Sequence, residues 1–222
     1  MTTRMKIFDV PHKGLRNALS QFSLLAGRTD YTNAAAIATL HTLGRQVFEL
    51  LAIHAKDEDN VTLKHLEERM PGAAHHNMDD HEMLEAKQQQ LEEKLETILQ
   101  ESKQGKEGTA TGASFYSDLN DYHALYLQHM AEEEKDTQPL LWQHFTDEEL
   151  LQHRKQIMAN NPPQTLFTWF RFVMPAQSHA ERTGLLKGFK LNAPPAFFAE
   201  GMNVIKQVLA PEEYSKLEET LA

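Results

Sequence analysis

The sequence predicts an all-α protein, and three observations carry that expectation. Apolar residues recur at steps of three and four through four long stretches before residue 145, which is the period of one helix face. Turn-forming clusters separate the stretches: Arg28-Thr29-Asp30, the segment around Pro71-Gly72, and the Gly-, Ser- and Thr-rich run from Ser102 to Ser114. After Phe145 the segments become shorter, and each has its own helix start or stop signal. Residues 1–145 are therefore expected to form a bundle of four helices. Residues 146–222 are expected to form an extension of short helices that packs on the bundle or makes a homodimer interface.

Helix one is expected to begin near Pro11, since proline suits a first turn. It then places His12, Leu15, Leu19, Phe22 and Ala26 on one face. Helix two is expected from about Asn33 to about Asp59, with Leu40, Val47, Leu50, Leu51, His54 and Glu58 inward. Gly44 weakens that helix with no local reason. The segment from Lys64 to Asn77 reads as a solvated connection, and its His65, His75 and His76 read as surface residues. Helix three is expected to start between Met78 and Asp80, with His81, Leu84, Gln88, Leu91, Leu95 and Ile98 inward. Helix four is expected from about Phe115 to Trp142, with Leu119, Tyr122, Tyr126, His129 and Glu133 inward and Pro139 kinking or ending it. Thr146 to Glu149 matches a capping box, so a further helix starts there.

His54 and Glu58 continue a hydrophobic stripe, and His129 and Glu133 repeat the same four-residue step. A carboxylate aimed at a core is costly without partners. Mutual hydrogen bonding is one answer, and metal ions are another. Imidazoles from four helices, with two carboxylates that could bridge, suit a pair of transition-metal ions, iron above all. Zinc and manganese fit less well: a tetrahedral zinc site needs only four ligands and no bridging carboxylates. Glu85, one turn after His81, is a candidate further ligand or supporting acceptor. Tyr122 and Tyr126 read first as core aromatics with a polar tip and second as donors to a metal-bound ligand.

The composition excludes several classes. Cysteine is absent, which removes disulfides, thiolate ligands, iron–sulfur clusters and cysteine nucleophiles. A formal charge of −10 argues against nucleic acid as a partner, because phosphate recognition needs a basic face. No stretch approaches the ~18 apolar residues of a membrane helix. The first residues lack the apolar run of a secretory signal, so a cytoplasmic protein is expected. Twelve histidines are too many for composition alone to select any of them.

The leading His12 in PHKGLR, the HAKDED block at 54–59, Asp80-His81 and HMAEEE at 129–134 together resemble the hemerythrin-like, or HHE cation-binding, family over about residues 8–143. The resemblance implies an up-down-up-down four-helix bundle with a non-haem di-iron centre. It implies His12, His54, Glu58, His81, His129 and Glu133 as ligands, with both glutamates bridging. Two departures from the oxygen-carrier pattern stand out. Glu85 occupies a position where the carriers have a second histidine, and the last motif is His-x3-Glu. These departures bring the pattern closer to bacterial iron-centre repair proteins and to the hemerythrin domain of an iron-sensing ubiquitin-ligase subunit. The expected function is binding or sensing of a small ligand (dioxygen, nitric oxide) or of iron itself. A di-iron enzyme reducing peroxide, oxygen or nitric oxide is the alternative, and a metal-free helical interaction module is the second alternative.

Overall fold

The structure is a computed structural model that describes residues 4–221, and among these residues every regular element is a helix. Helix α1 spans Asp9–Arg28, α2 Ala34–Asp57, α3 Lys64–Arg69, α4 His75–Lys103, α5 Thr109–Glu132, α6 Gln138–His144 and α7 Asp147–Asn160. Helices α8 to α11 span Thr165–Ala176, His179–Asn192, Pro195–Val208 and Pro211–Leu221. No described helix is long and apolar enough to cross a membrane. The chain forms two compact units, residues 4–9 with 18–160 and residues 10–17 with 161–221. Helix α1 is an unbroken helix that contributes to both. Helix α7 packs within the first unit, where its Leu150 joins Phe8, Leu66, Leu141 and Phe145 in one buried cluster.

The first unit is a four-helix bundle of α1 from residue 18 onward with α2, α4 and α5. Its neighbours run antiparallel, as cross-helix contacts show. Along α2 and α4, His41 meets Glu96, Arg45 meets Glu92, and Gln88 donates to the carbonyl of Phe48. Along α4 and α5, Lys94 pairs with Asp118, Tyr122 donates to Gln88, and His76 meets Glu132. Phe22 of α1 closes the ring of helices, with its ring 5.3 Å from Phe48 and 5.9 Å from Phe115. The inward residues follow the expected stripes: Leu15, Leu19, Phe22, Leu40, Val47, Leu91, Leu95, Ile98 and Leu119 are all buried. Asn33 caps α2, its side chain accepting from the amides of Ala35 and Ala36, which satisfies donors a helix start leaves open.

The end of α2 and the start of α5 differ from the sequence expectation, each for a physical reason. Helix α2 does not end near Asp59. It widens into a π-helical segment, Glu58–Leu63, and continues as α3 to Arg69. That continuation buries Val61, Thr62, Leu63 and Leu66, so the expected connection shrinks to residues 70–74 around Gly72, whose φ is +91°. Helix α5 starts at Thr109, well before Phe115. Gly112 is there for close approach: a Cβ would sit 2.4 Å from the Tyr31 ring. Helix α5 also continues, through a second π segment Glu133–Thr137, into α6. Pro139 lies in the first turn of α6, where a missing N–H leaves little unsatisfied.

His65 is half-buried rather than a surface residue. Its ring stacks 4.5 Å from that of His153, which also meets Phe145 edge-on at 4.9 Å. Burial, followed by the neighbouring His65 and Arg69, pushes the His153 imidazole down to about 4. The folded state therefore favours neutral His153. The stability this contributes is present above the unfolded value near 6.5 and is lost as pH falls toward 4. In urea unfolding at pH 7 and pH 5, wild type is expected to lose about 1–2 kcal/mol more than His153→Leu on acidification. Equal losses would remove His153 from the acid response.

The second unit has its own core of Phe170, Val173, Met174, Leu186, Ile205, Leu209, Tyr214, Leu217 and Leu221. Buried Arg182 ties it together, donating to the carbonyls of Met174 and Pro175 and pairing with Glu213 at 2.9 Å. Ser178 and Glu181 form a capping box at the start of α9.

Candidate metal centre

Each helix of the bundle contributes an imidazole that the packing buries. His12, His54, His81 and His129 are at most 4% exposed, as is Glu58, and Glu133 is fully buried. The distances in the cluster are short. His54 Nε2 lies 3.3 Å from Glu58 Oε2, and His81 Nε2 lies 3.6 Å from the same oxygen. Glu133 stands 3.9 Å from His81 Nε2 through Oε1 and 3.5 Å from His129 Nε2 through Oε2. Two groups of ligand-type atoms, each within 4.8 Å of one another, share Glu133: His12, His54, Glu58 and Glu133, and His81, His129 and Glu133.

The arrangement suits cations better than it suits hydrogen bonding alone. The Nε2 atoms of His81 and His129 are buried without a hydrogen bond, and so is the hydroxyl of Tyr126. Inward imidazole nitrogens without donors or acceptors are unfavourable in a core, whereas neutral imidazole with carboxylate is a ready ligand set for a borderline divalent metal. The outward nitrogens are fixed. His81 Nδ1 donates to Asp59 Oδ1 at 2.7 Å, and His129 Nδ1 lies 3.4 Å from Asp80 Oδ2. A carboxylate on the far nitrogen is the usual device for orienting a ligating histidine. Asn77 donates to Glu133 Oε1 at 3.4 Å and accepts from Thr137 at 3.1 Å, a buried relay that holds the carboxylate.

Charge in the cluster follows from these contacts. Burial alone would lower the His81 imidazole. The hydrogen bond to Asp59 and the charges of Glu58 and Glu133 outweigh it and hold the group at about 9. For His129, burial wins, and its affinity for a proton is lowered. Burial raises Tyr126 well above the usual phenol range, and Tyr122, Glu58 and Glu133 add to the effect, so its hydroxyl stays protonated and can only donate toward the carboxylates.

Both glutamates of the cluster open a π segment. Such wide turns are rare and concentrate at functional sites. At the first of them Asn60 Nδ2 donates to the carbonyl of Lys56 at 2.7 Å.

The structure brings together His12, His54, Glu58, His81, His129 and Glu133, with Tyr126 beside His129 at 5.9 Å between ring centres. Tyr122 is turned away to Gln88. Glu85 is exposed and stands outside the cluster, which corrects its reading as a further ligand: the buried stripe of α4 steps from His81 to Leu84 and Gln88. Asp59, Asp80, Asn77 and Thr137 were not read as supporting groups. The available signal was an acid directly beside a candidate ligand, Asp59 after Glu58 and Asp80 before His81.

Comparison with known proteins gives one finding. The model of the hemerythrin HHE cation-binding domain matches residues 3–141. The chain belongs to the hemerythrin HHE cation-binding family. A search of curated proteins and a search of solved structures gave no match. The match to this hemerythrin-like domain ends within α6. The buried His/Glu cluster fits the cation-binding character of the family.

Proposed function

We propose that this hemerythrin-like domain holds two non-haem iron ions and uses them to bind or sense a small ligand, dioxygen or nitric oxide, or to register iron itself. The supporting observation is that two groups of buried ligand atoms share Glu133, with Glu58 also within 3.6 Å of His81. In this reading His12 and His54 serve one ion, His81 and His129 the other, and the two glutamates serve both. Six residues for ions that prefer five or six ligands each leave positions for an exogenous ligand. Mixed imidazole and carboxylate donors suit iron better than manganese, which favours oxygen donors. Bound there, an iron pair would supply open coordination positions and electrons for one- or two-electron steps. Asp59 and Asp80 keep the imidazoles turned inward, Asn77 holds Glu133, and the surrounding core excludes water. A second reading, reduction of peroxide, oxygen or nitric oxide, is favoured by Tyr126, whose protonated and otherwise unbonded hydroxyl could donate a hydrogen bond in the cluster.

The test is metal content with an optical spectrum, on chain purified without chelator and offered ferrous iron in air. About two irons per chain, with charge-transfer absorption absent from the metal-free chain, are expected for a ferric pair held by imidazoles and carboxylates. A single zinc, or no metal after iron is offered, would return the histidines to a structural role and make an interaction module the leading account.

A further inference from the structure

A second group of ligand-type side chains lies outside the buried cluster. His76 Nε2 stands 3.3 Å from Glu132 Oε2 and 3.8 Å from Asp80 Oδ2. One ligand atom from each of the three residues lies within 4.8 Å of the other two. His76 is exposed, and Asp80 and Glu132 are partly so. His76 and Asp80 share one face of α4 by a four-residue step, and Glu132 faces them from the end of α5. Gln128 donates to Glu132 Oε1 at 2.8 Å, which leaves Oε2 toward His76.

Two relations tie this triad to the buried centre. Asp80 precedes His81 and Glu132 precedes Glu133, so two of its three members are chain neighbours of the buried groups. Asp80 Oδ2, the oxygen near His76, also lies 3.4 Å from Nδ1 of buried His129, whose other nitrogen is buried without a hydrogen bond. A surface ion pair would give His76 a partner and contribute little. The same Asp80 oxygen that orients buried His129 also faces exposed His76, which places the triad directly on the outer side of the buried cluster.

We propose that His76, Asp80 and Glu132 form a solvent-facing site for a divalent cation, and that this site captures ferrous iron on its way to the buried centre. One imidazole and two carboxylates are donors that suit Fe(II) or Mn(II). Three protein ligands leave the remaining positions to water, so the ion stays exchangeable. The loading role rests on the reading of the buried cluster as an iron centre; the outer site itself does not.

The test compares wild type with His76→Ala, an exposed change that leaves the core intact, using two probes. Mn(II) is titrated into iron-loaded protein and followed by its free-ion EPR signal. Wild type is expected to bind one Mn(II), and His76→Ala to bind it at least about tenfold more weakly, since even a supporting partner of a ligand is worth about 10–100-fold. Iron uptake is then followed with limiting ferrous iron, where His76→Ala is expected to reach the wild-type iron content several-fold more slowly. Equal Mn(II) binding by the two chains, or none by either, overturns the site. Equal uptake rates with His76-dependent Mn(II) binding overturn the loading role. If wild type takes up no iron, the buried-centre reading and the loading role fail together, and Mn(II) titration of the metal-free chains still decides the outer site.

Discussion

A Glu133→Ala chain is expected to lose both metal ions together while keeping its helical content. Glu133 is the one residue in both groups of ligand atoms, and its two oxygens face His81 and His129 separately. On the two-ion reading, its removal would take a ligand from each ion at once. Loss of a supporting group such as Asp59 is expected to weaken binding by about 10–100-fold, and loss of the shared carboxylate by more. The fold is expected to survive, because a buried carboxylate without its cation is itself a burden on the core. Iron per chain and far-ultraviolet dichroism measure the two halves of this expectation. Glu58→Ala is expected to behave similarly, since Glu58 reaches both His54 and His81. Retention of two irons by either variant would show that the shared glutamates are not the ligands.

The second large effect is expected at Gly44, far from the cluster. A Cβ at this position would sit 2.5 Å from Leu95 Cδ2 and 2.7 Å from Phe22 Cζ. Both neighbours are buried to within 1%, and the Phe22 ring is hemmed in by Phe48 and Phe115. Alanine gains about 1 kcal/mol of helix propensity over glycine, and the clash more than offsets it. Gly44→Ala is expected to destabilise modestly. Gly44→Val adds two further methyl groups and is expected to cost about 3 kcal/mol or more by overpacking. Urea midpoints of the three chains check the order, and a valine variant as stable as wild type would refute the close packing of α2 against α1 and α4.

Gly44 also marks where the sequence stops being informative. Spacing shows which residues of one helix share a face. The stripe from His81 through Leu84 and Gln88 to Ile98, and the inward positions of His54, Glu58, His129 and Glu133, were legible for that reason. The inward place of His12 was legible from spacing as well, and the family pattern added the topology. What two helices do to each other is not written in either helix's spacing. Gly44 therefore read as an unexplained weakness, Gly112 as part of a flexible loop, and His65 as a surface residue. Asp59, Asp80 and Asn77 act across helices, and their roles emerge only when α2, α4 and α5 are assembled. Glu85 shows the converse error: a four-residue step from a ligand overshoots a full turn by about 40°, and at that site the overshoot carries it past the edge of the buried face.

The two π segments have a consequence for how the chain can vary. Each acts like one extra residue slipped into a helix, so side chains before and after it keep different phases. Upstream of Glu58 the helix is in phase with the metal cluster, and downstream it is in phase with the core around Leu66. The segment after Glu133 stands in the same relation to Leu141. Neither rod could serve both interiors as an unbroken α-helix. Substitutions along these segments are a matter of side-chain fit, but a one-residue deletion at exposed Asn60 would force a choice between holding the ligands and sealing the end of the bundle.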